Sequence, residues 1–131
     1  MKSKLILLAG VLWALIGFGG CTSAPIQNVG ATPIKMNMAN YELEDIEKAI
    51  LLAGPKESWQ MKVERPGLIR ASKTERSHMA EVMISFTNKE YSISYLDSKN
   101  LGYKGGKIHK AFNTWVSRLN DKIQLEFSIP R

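Results

Sequence analysis

The chain has 131 residues, 44% hydrophobic and 23% charged, with 5 Pro and 10 Gly, a globular composition that excludes a low-complexity or collagen-like chain. That length holds one domain and excludes a large two-domain enzyme. The single Cys excludes an internal disulfide, that Cys and two His leave little material for a zinc site, and the formal charge of +6 invites a nucleic-acid partner until its distribution is considered.

Lys2 and Lys4 precede 14 uncharged residues, Leu5 to Phe18, the basic and then apolar order of an export signal. As a helix this run reaches about 21 Å at roughly 1.5 Å per residue, short of the ~30 Å hydrocarbon core, so a permanent membrane span is the weaker reading. It closes on Phe18-Gly19-Gly20-Cys21, small residues that fit a peptidase cleft, followed by the one Cys of the chain. These residues resemble the lipobox of bacterial lipoproteins, with Phe18 in place of the usual Leu. The resemblance implies that residues 1–20 are a signal peptide removed before Cys21. It also implies that Cys21 carries a diacylglyceryl thioether and an acylated amine, a palmitate-type anchor in which each buried methylene contributes about 0.8 kcal/mol. The alternative is an ordinary secretory signal with an incidental free thiol. Thr22 stands where an Asp would resemble an inner-membrane retention signal, so the expected location is the outer membrane, facing the periplasm. The remaining 111 residues carry 16 bases against 12 acids, a charge of +4. An exported, anchored chain does not meet nucleic acid. The excess charge is read against anionic lipid head groups, other anionic envelope components or acidic proteins.

Residues 21–40 read as the lipidated Cys and a flexible tether: Pro25, Pro33, small and amide residues and one charge, Lys35, show no periodicity. Such a stretch spans roughly 24 Å on average. Ile34, Met36 and Met38 alternate with polar residues, so the end of the tether is alternatively a short strand. Residues 41–131 are expected to form a single α+β domain. Leu43, Ile46, Ile50 and Ala53 recur at helical spacing after acidic residues that suit a helix N-terminus, and Gly54-Pro55 ends the run, predicting a helix over about 41–53. Four segments of period two follow. Trp59, Met61 and Val63 lead, then Ile69 and Ala71 after the Pro66-Gly67 turn, then Ala80 to Phe86, then Tyr91, Ile93 and Tyr95. Short links favour an antiparallel meander of about four strands. Its outward face would carry Lys62, Glu64, Arg70, Ser72, Glu81, Met83, Ser85, Ser92 and Ser94. A long helix is predicted over about 107–124, with Phe112, Trp115, Val116, Leu119 and Ile123 on one stripe of about 100°. The tail from Leu125 alternates again, as a short strand or ordered end. Helices before and after the sheet would cover one of its faces. Trp59, Phe86, Tyr91, Tyr95, Phe112 and Trp115 supply much of the core.

Chemical signatures are scarce: there is no nucleophile elbow, phosphate-binding glycine loop or metal-binding His pair. No catalytic residue, metal or cofactor is assigned. Tyr95, Asp97, His109 and Asn113 are a candidate pocket for a small ligand or an enzymatic site. Ser98 with Asp97 and His109 is a triad only by composition, and His78 reads as a surface or edge residue. Gly105-Gly106 reads as a flexible connection into the last helix, with anion binding at that helix's N-terminus as the weaker alternative. The sharper signal is charge. From Ser98 to Asn120 there are five bases and no acid, which makes Lys99, Lys104, Lys107, Lys110 and Arg118, with Tyr103 among them, a candidate surface for a partner or an anion. A solvated loop and helix face is the plainer reading.

The stretches Tyr91–Tyr103, Ile108–Val116 and Pro66–Ala71 resemble a family of small uncharacterised Gram-negative lipoproteins, and the resemblance spans about 59–119. It implies export and fold rather than an activity. The expected function is a lipid-anchored, non-enzymatic binding or assembly module of the envelope that uses the basic loop and helix. A small-ligand carrier or enzyme with the Tyr95 pocket, and a purely structural envelope component, are the alternatives.

Overall fold

A computed structural model describes residues 22–131; residues 1–20, expected to be a signal peptide, and Cys21 lie outside the described residues. The class is α+β. The elements in chain order are β1 (Ser23–Pro25), β2 (Val29–Pro33), α1 (Leu43–Lys56), β3 (Gln60–Arg65), β4 (Leu68–Glu75), β5 (His78–Phe86), β6 (Glu90–Lys99), β7 (Lys107–His109) and α2 (Ala111–Ser128). Five strands form one antiparallel sheet in the order β2-β6-β5-β4-β3, and β1 pairs with β7 in a separate two-stranded ribbon. The meander β3 to β6 is the one the alternation predicts. The sheet has five strands, however, not four, and two strands precede α1, so no helix stands at the start of the described chain.

The added strands come from the stretch expected to be a flexible tether. Val29 pairs with Ile93 and Thr32 with Tyr91, while Ser23 pairs with His109 and Pro25 with Lys107. Ile34 N–H then donates to Lys89 C=O at 2.8 Å, and Asn37 N–H to Phe127 C=O at 2.9 Å. Residues 22–37 are thus bonded along the domain and are no tether. Prolines obscure this in the sequence, yet they are tolerated here because β1 and β2 are edge strands, where a missing N–H costs no ladder bond. Ile34 is buried in the core just beyond the strand rather than within it.

Helix α1 begins where its acids suggest: Glu42 N–H donates to Asp45 Oδ2 at 2.9 Å, and Glu44 and Asp45 occupy the first turn. It runs through Pro55 to Lys56 rather than stopping at Ala53. A proline in the last turn removes a single helical bond, and Glu57 and Trp59 N–H groups close the end on Gly54 C=O. Gly54 has no room for a side chain, because Met61 of β3 lies over it. Helix α2 begins four residues later than expected, since 107–109 pair as β7, and its stripe continues through the tail to Phe127.

Both helices lie on one face of the sheet. Ile46, Ile50 and Ala53 of α1, Phe112, Leu119 and Ile123 of α2, and Ile69, Val82, Ile84 and Ile93 of the sheet form one buried cluster. Trp59, Tyr91 and Phe112 are almost wholly buried, and each contributes about 2–3 kcal/mol by leaving water. The Tyr91 hydroxyl donates to Asn120 Oδ1 and accepts from Gln124 Nε2. Glu126, at 2% exposure the one buried charge among the described residues, is held by Lys56 and by Arg131. The opposite sheet face is solvated, as expected: Lys62, Arg70, Met83 and Ser94 form one cross-strand row, and Arg70 reaches Glu64 at 3.1 Å and Glu81 at 3.7 Å.

Candidate functional site

The acid-free stretch after β6 is built around a tight hairpin. Lys104 N–H donates to Lys107 C=O at 2.9 Å and Lys107 N–H returns a bond at 3.0 Å. Between them Gly105 and Gly106 have φ of 59° and 76°. Positive φ at both central residues defines a type I′ turn, which glycine adopts without a Cβ clash. The pair is therefore a specific hairpin tip and not a flexible lead into α2, from which β7 separates it. Leu101 anchors the loop in the core at 3% exposure, and its carbonyl accepts from His109 N–H at 2.7 Å. Tyr103, 51% exposed, stacks on Tyr95 with centroids 4.6 Å apart.

Lys99, Lys104, Lys107, Lys110 and Arg118 are all exposed. The ion pairs among the described residues belong to Lys56, Lys62, Arg70 and Arg131, so none of the five is neutralised by a carboxylate. They do not form one patch. Lys104, Lys107 and Lys110 flank the ribbon and Lys99 ends the neighbouring strand. Arg118 lies eight residues along α2 from Lys110, about 12 Å at 1.5 Å per residue, in a shallow hollow with Gln27, Asn113, Thr114 and Ser117.

The candidate pocket at Tyr95, Asp97, His109 and Asn113 is not assembled. Residues 95 and 97 share a face only in an unbroken strand. Here Val82 pairs with Tyr95 and Glu81 with Asp97, which leaves Leu96 as the extra residue of a bulge and puts Tyr95 and Asp97 on opposite faces. Tyr95 turns inward, its ring 5.5 Å from Phe112 and its hydroxyl 2.8 Å from Ser98 Oγ. Asp97 accepts from the Ser98 amide at 2.8 Å. His109 Nδ1 accepts the Ala111 N–H at 3.0 Å, which places the ring proton on Nε2 and makes the histidine a cap for the start of α2. Asn113 donates to Pro25 C=O at 3.0 Å and accepts from Gln27 N–H at 2.9 Å. The Asp97–Ser98–His109 combination falls with the pocket. His78 keeps its surface reading: its Nδ1 donates to Asn100 C=O at 2.8 Å.

Five surface hollows of about 220–560 Å³ lie among the described residues, and none of these five is lined by Tyr95, Asp97 or His109. Among the described residues no group of three His, Cys, Asp or Glu could hold a metal ion, and no helix is long and apolar enough to cross a membrane.

Sequence reasoning missed Thr22. Its carbonyl accepts the Lys110 N–H at 3.1 Å, so the chain enters the described structure beside the lysines of the ribbon. It also missed Asn28, whose Oδ1 takes the Tyr95 N–H at 2.9 Å where the β2–β6 ladder ends. Neither residue carries a periodic signal; an amide side chain between two prolines is the one hint. The chain matches no protein-family model, no curated protein and no solved structure.

Proposed function

We propose that this chain is an exported lipoprotein, cut before Cys21 and acylated there, whose α+β domain is a non-enzymatic binding or assembly module on the periplasmic face of the outer membrane. The observation that carries the reading is a coincidence of place. Thr22, which follows Cys21 directly, is bonded to Lys110, and Lys104, Lys107 and Lys110 are exposed there without carboxylate partners. A lipid at Cys21 and a cationic binding surface would then occupy the same end of the molecule. The reading as a small-ligand carrier or enzyme has no such support, because Tyr95, Asp97, His109 and Asn113 are each engaged in separate local hydrogen bonds.

The test combines fractionation with crosslinking. The wild type is expected in the membrane fraction, and Cys21→Ala is expected to remain unprocessed by the lipoprotein peptidase and to lose lipid-dependent attachment. A photoreactive phenylalanine at position 103 should capture envelope material in the wild type, and Lys104→Glu with Lys107→Glu and Lys110→Glu should reduce that capture without lowering the unfolding midpoint. A soluble, ordinarily processed wild type overturns the lipoprotein reading, and undiminished capture removes this surface.

A further inference from the structure

The geometry points to a membrane-apposed face: the β1–β7 ribbon and its hairpin tip rest against the anionic head groups of the bilayer that anchors the chain, with Lys104, Lys107 and Lys110 as the contacts. This rests on lipidation at Cys21. Connectivity supplies the first argument. A chain acylated at Cys21 has no slack before the domain, because the next residue already accepts the Lys110 N–H and Ser23 is already paired with His109. Consecutive Cα atoms are about 3.8 Å apart, so the ribbon is the protein surface nearest the lipid whatever else the domain does.

The ribbon's alternation supplies the second. Ile108 is fully buried, Ala24 is half-buried, and Ser23, Pro25, Lys107 and His109 are exposed. The ribbon therefore turns one row into the core and another, with Lys107 in it, outward. Lys104 sits across the type I′ turn and Lys110 just beyond β7. Tyr103 adds a half-exposed ring fixed by its stack on Tyr95, an amphipathic aromatic of the kind enriched at membrane interfaces.

Charge supplies the third. A lysine close to an anionic bilayer favours the apposed orientation about five-fold, and the effect fades over a Debye length of about 8 Å. The three lysines lie within the ribbon or one turn of it. Lys89 stands before the first residue of the ten-residue β6 and Lys99 at its last. At about 3.3 Å per residue this leaves Lys89 roughly 33 Å from Lys99 and roughly 20 Å from Tyr95, on which Tyr103 stacks, still beyond that reach.

The lipidated protein, purified from membranes and reconstituted, tests this by lysine footprinting with a water-soluble acylating reagent and mass spectrometry. On phosphatidylglycerol–phosphatidylcholine vesicles, acylation of Lys104, Lys107 and Lys110 should slow at least about five-fold relative to phosphatidylcholine vesicles. Lys62 and Lys89 should react equally on both, and 1 M salt should abolish the protection. Equal labelling of the three lysines on both vesicle types, with the protein still floating with lipid, overturns this inference and leaves lipidation standing. Protection that follows protein density rather than lipid charge assigns the face to a second copy and overturns it too. Failure to float overturns the anchoring itself, and this inference with it.

Discussion

Asn113→Ala tests whether the segment entering the domain is structural. The amide spans the link between β1 and β2, giving one bond to Pro25 C=O at 3.0 Å and taking one from Gln27 N–H at 2.9 Å. A net hydrogen bond contributes about 0.5–1.5 kcal/mol. Both bonds lie near the surface, where water replaces a lost partner, which places the pair in the lower half of that range, about 1–2 kcal/mol together. The loss falls on a local opening of the first described residues more than on global unfolding, because β1 makes only a three-residue ladder. The Ile26 amide, which donates to Gly106 C=O at 2.9 Å, should therefore exchange with solvent about 5–30 times faster. Ile84 at the centre of the sheet should keep its rate, and the urea midpoint should move little. Native-state hydrogen exchange resolves the two amides. An unchanged Ile26 rate would refute the clamp. Equal acceleration at Ile84 would refute local opening and show that the asparagine supports the whole fold.

Gly67→Ala should destabilise the domain by about 1–3 kcal/mol in urea unfolding. Gly67 has φ of +83°, and a Cβ would meet the Phe86 carbonyl at 2.9 Å; an unchanged midpoint would refute the strained turn between β3 and β4. Tyr91 gives an alkaline signature. Burial, with Asp121 adding to it against the Gln124 hydrogen bond, holds its phenol above the ordinary 10.0. Above pH 10 the unfolded chain therefore loses this proton first and binds fewer protons than the native state, so stability falls as pH rises from the unfolded value toward the higher folded one. Urea midpoints from pH 8 to 11 should fall less steeply in Tyr91→Phe than in the wild type, although the variant also loses about 1 kcal/mol at neutral pH with its hydrogen bonds. Parallel slopes would refute the assignment.

The difference between the expected and observed site turns on particular residues. Lys104, Lys107 and Lys110 were legible as a surface because charge excess is a property of composition along the chain, and an acid-free run needs no fold to be recognised. Tyr95 and Asp97 stand two apart, which in an unbroken strand would put them on one face. The bulge at Leu96 breaks that rule, and bulges arise from matching β6 to β5, which neither strand specifies alone. The Gly-Gly pair was visible, but its role depends on whether the flanking lysines pair, and that follows only once β7 is held by β1.

Periodicity in the chain was enough to define α1, the stripe of α2 and the β3–β6 meander, because each of these elements buries a face whose spacing repeats locally. Its N-terminal pattern and charge distribution were likewise enough to raise export and a cationic surface. Tertiary structure alone decided that residues 22–33 form two strands, that the last helix yields its start to β7, and that the pocket residues separate. The first two outcomes depend on contacts between residues about 60 to 90 positions apart, such as Val29 with Ile93 and Thr22 with Lys110, and the third on the register between β5 and β6. Short edge strands rich in Pro and Gly have too few side chains to announce such pairings. They form because the open edge of β6 and the free carbonyls of the hairpin accept them.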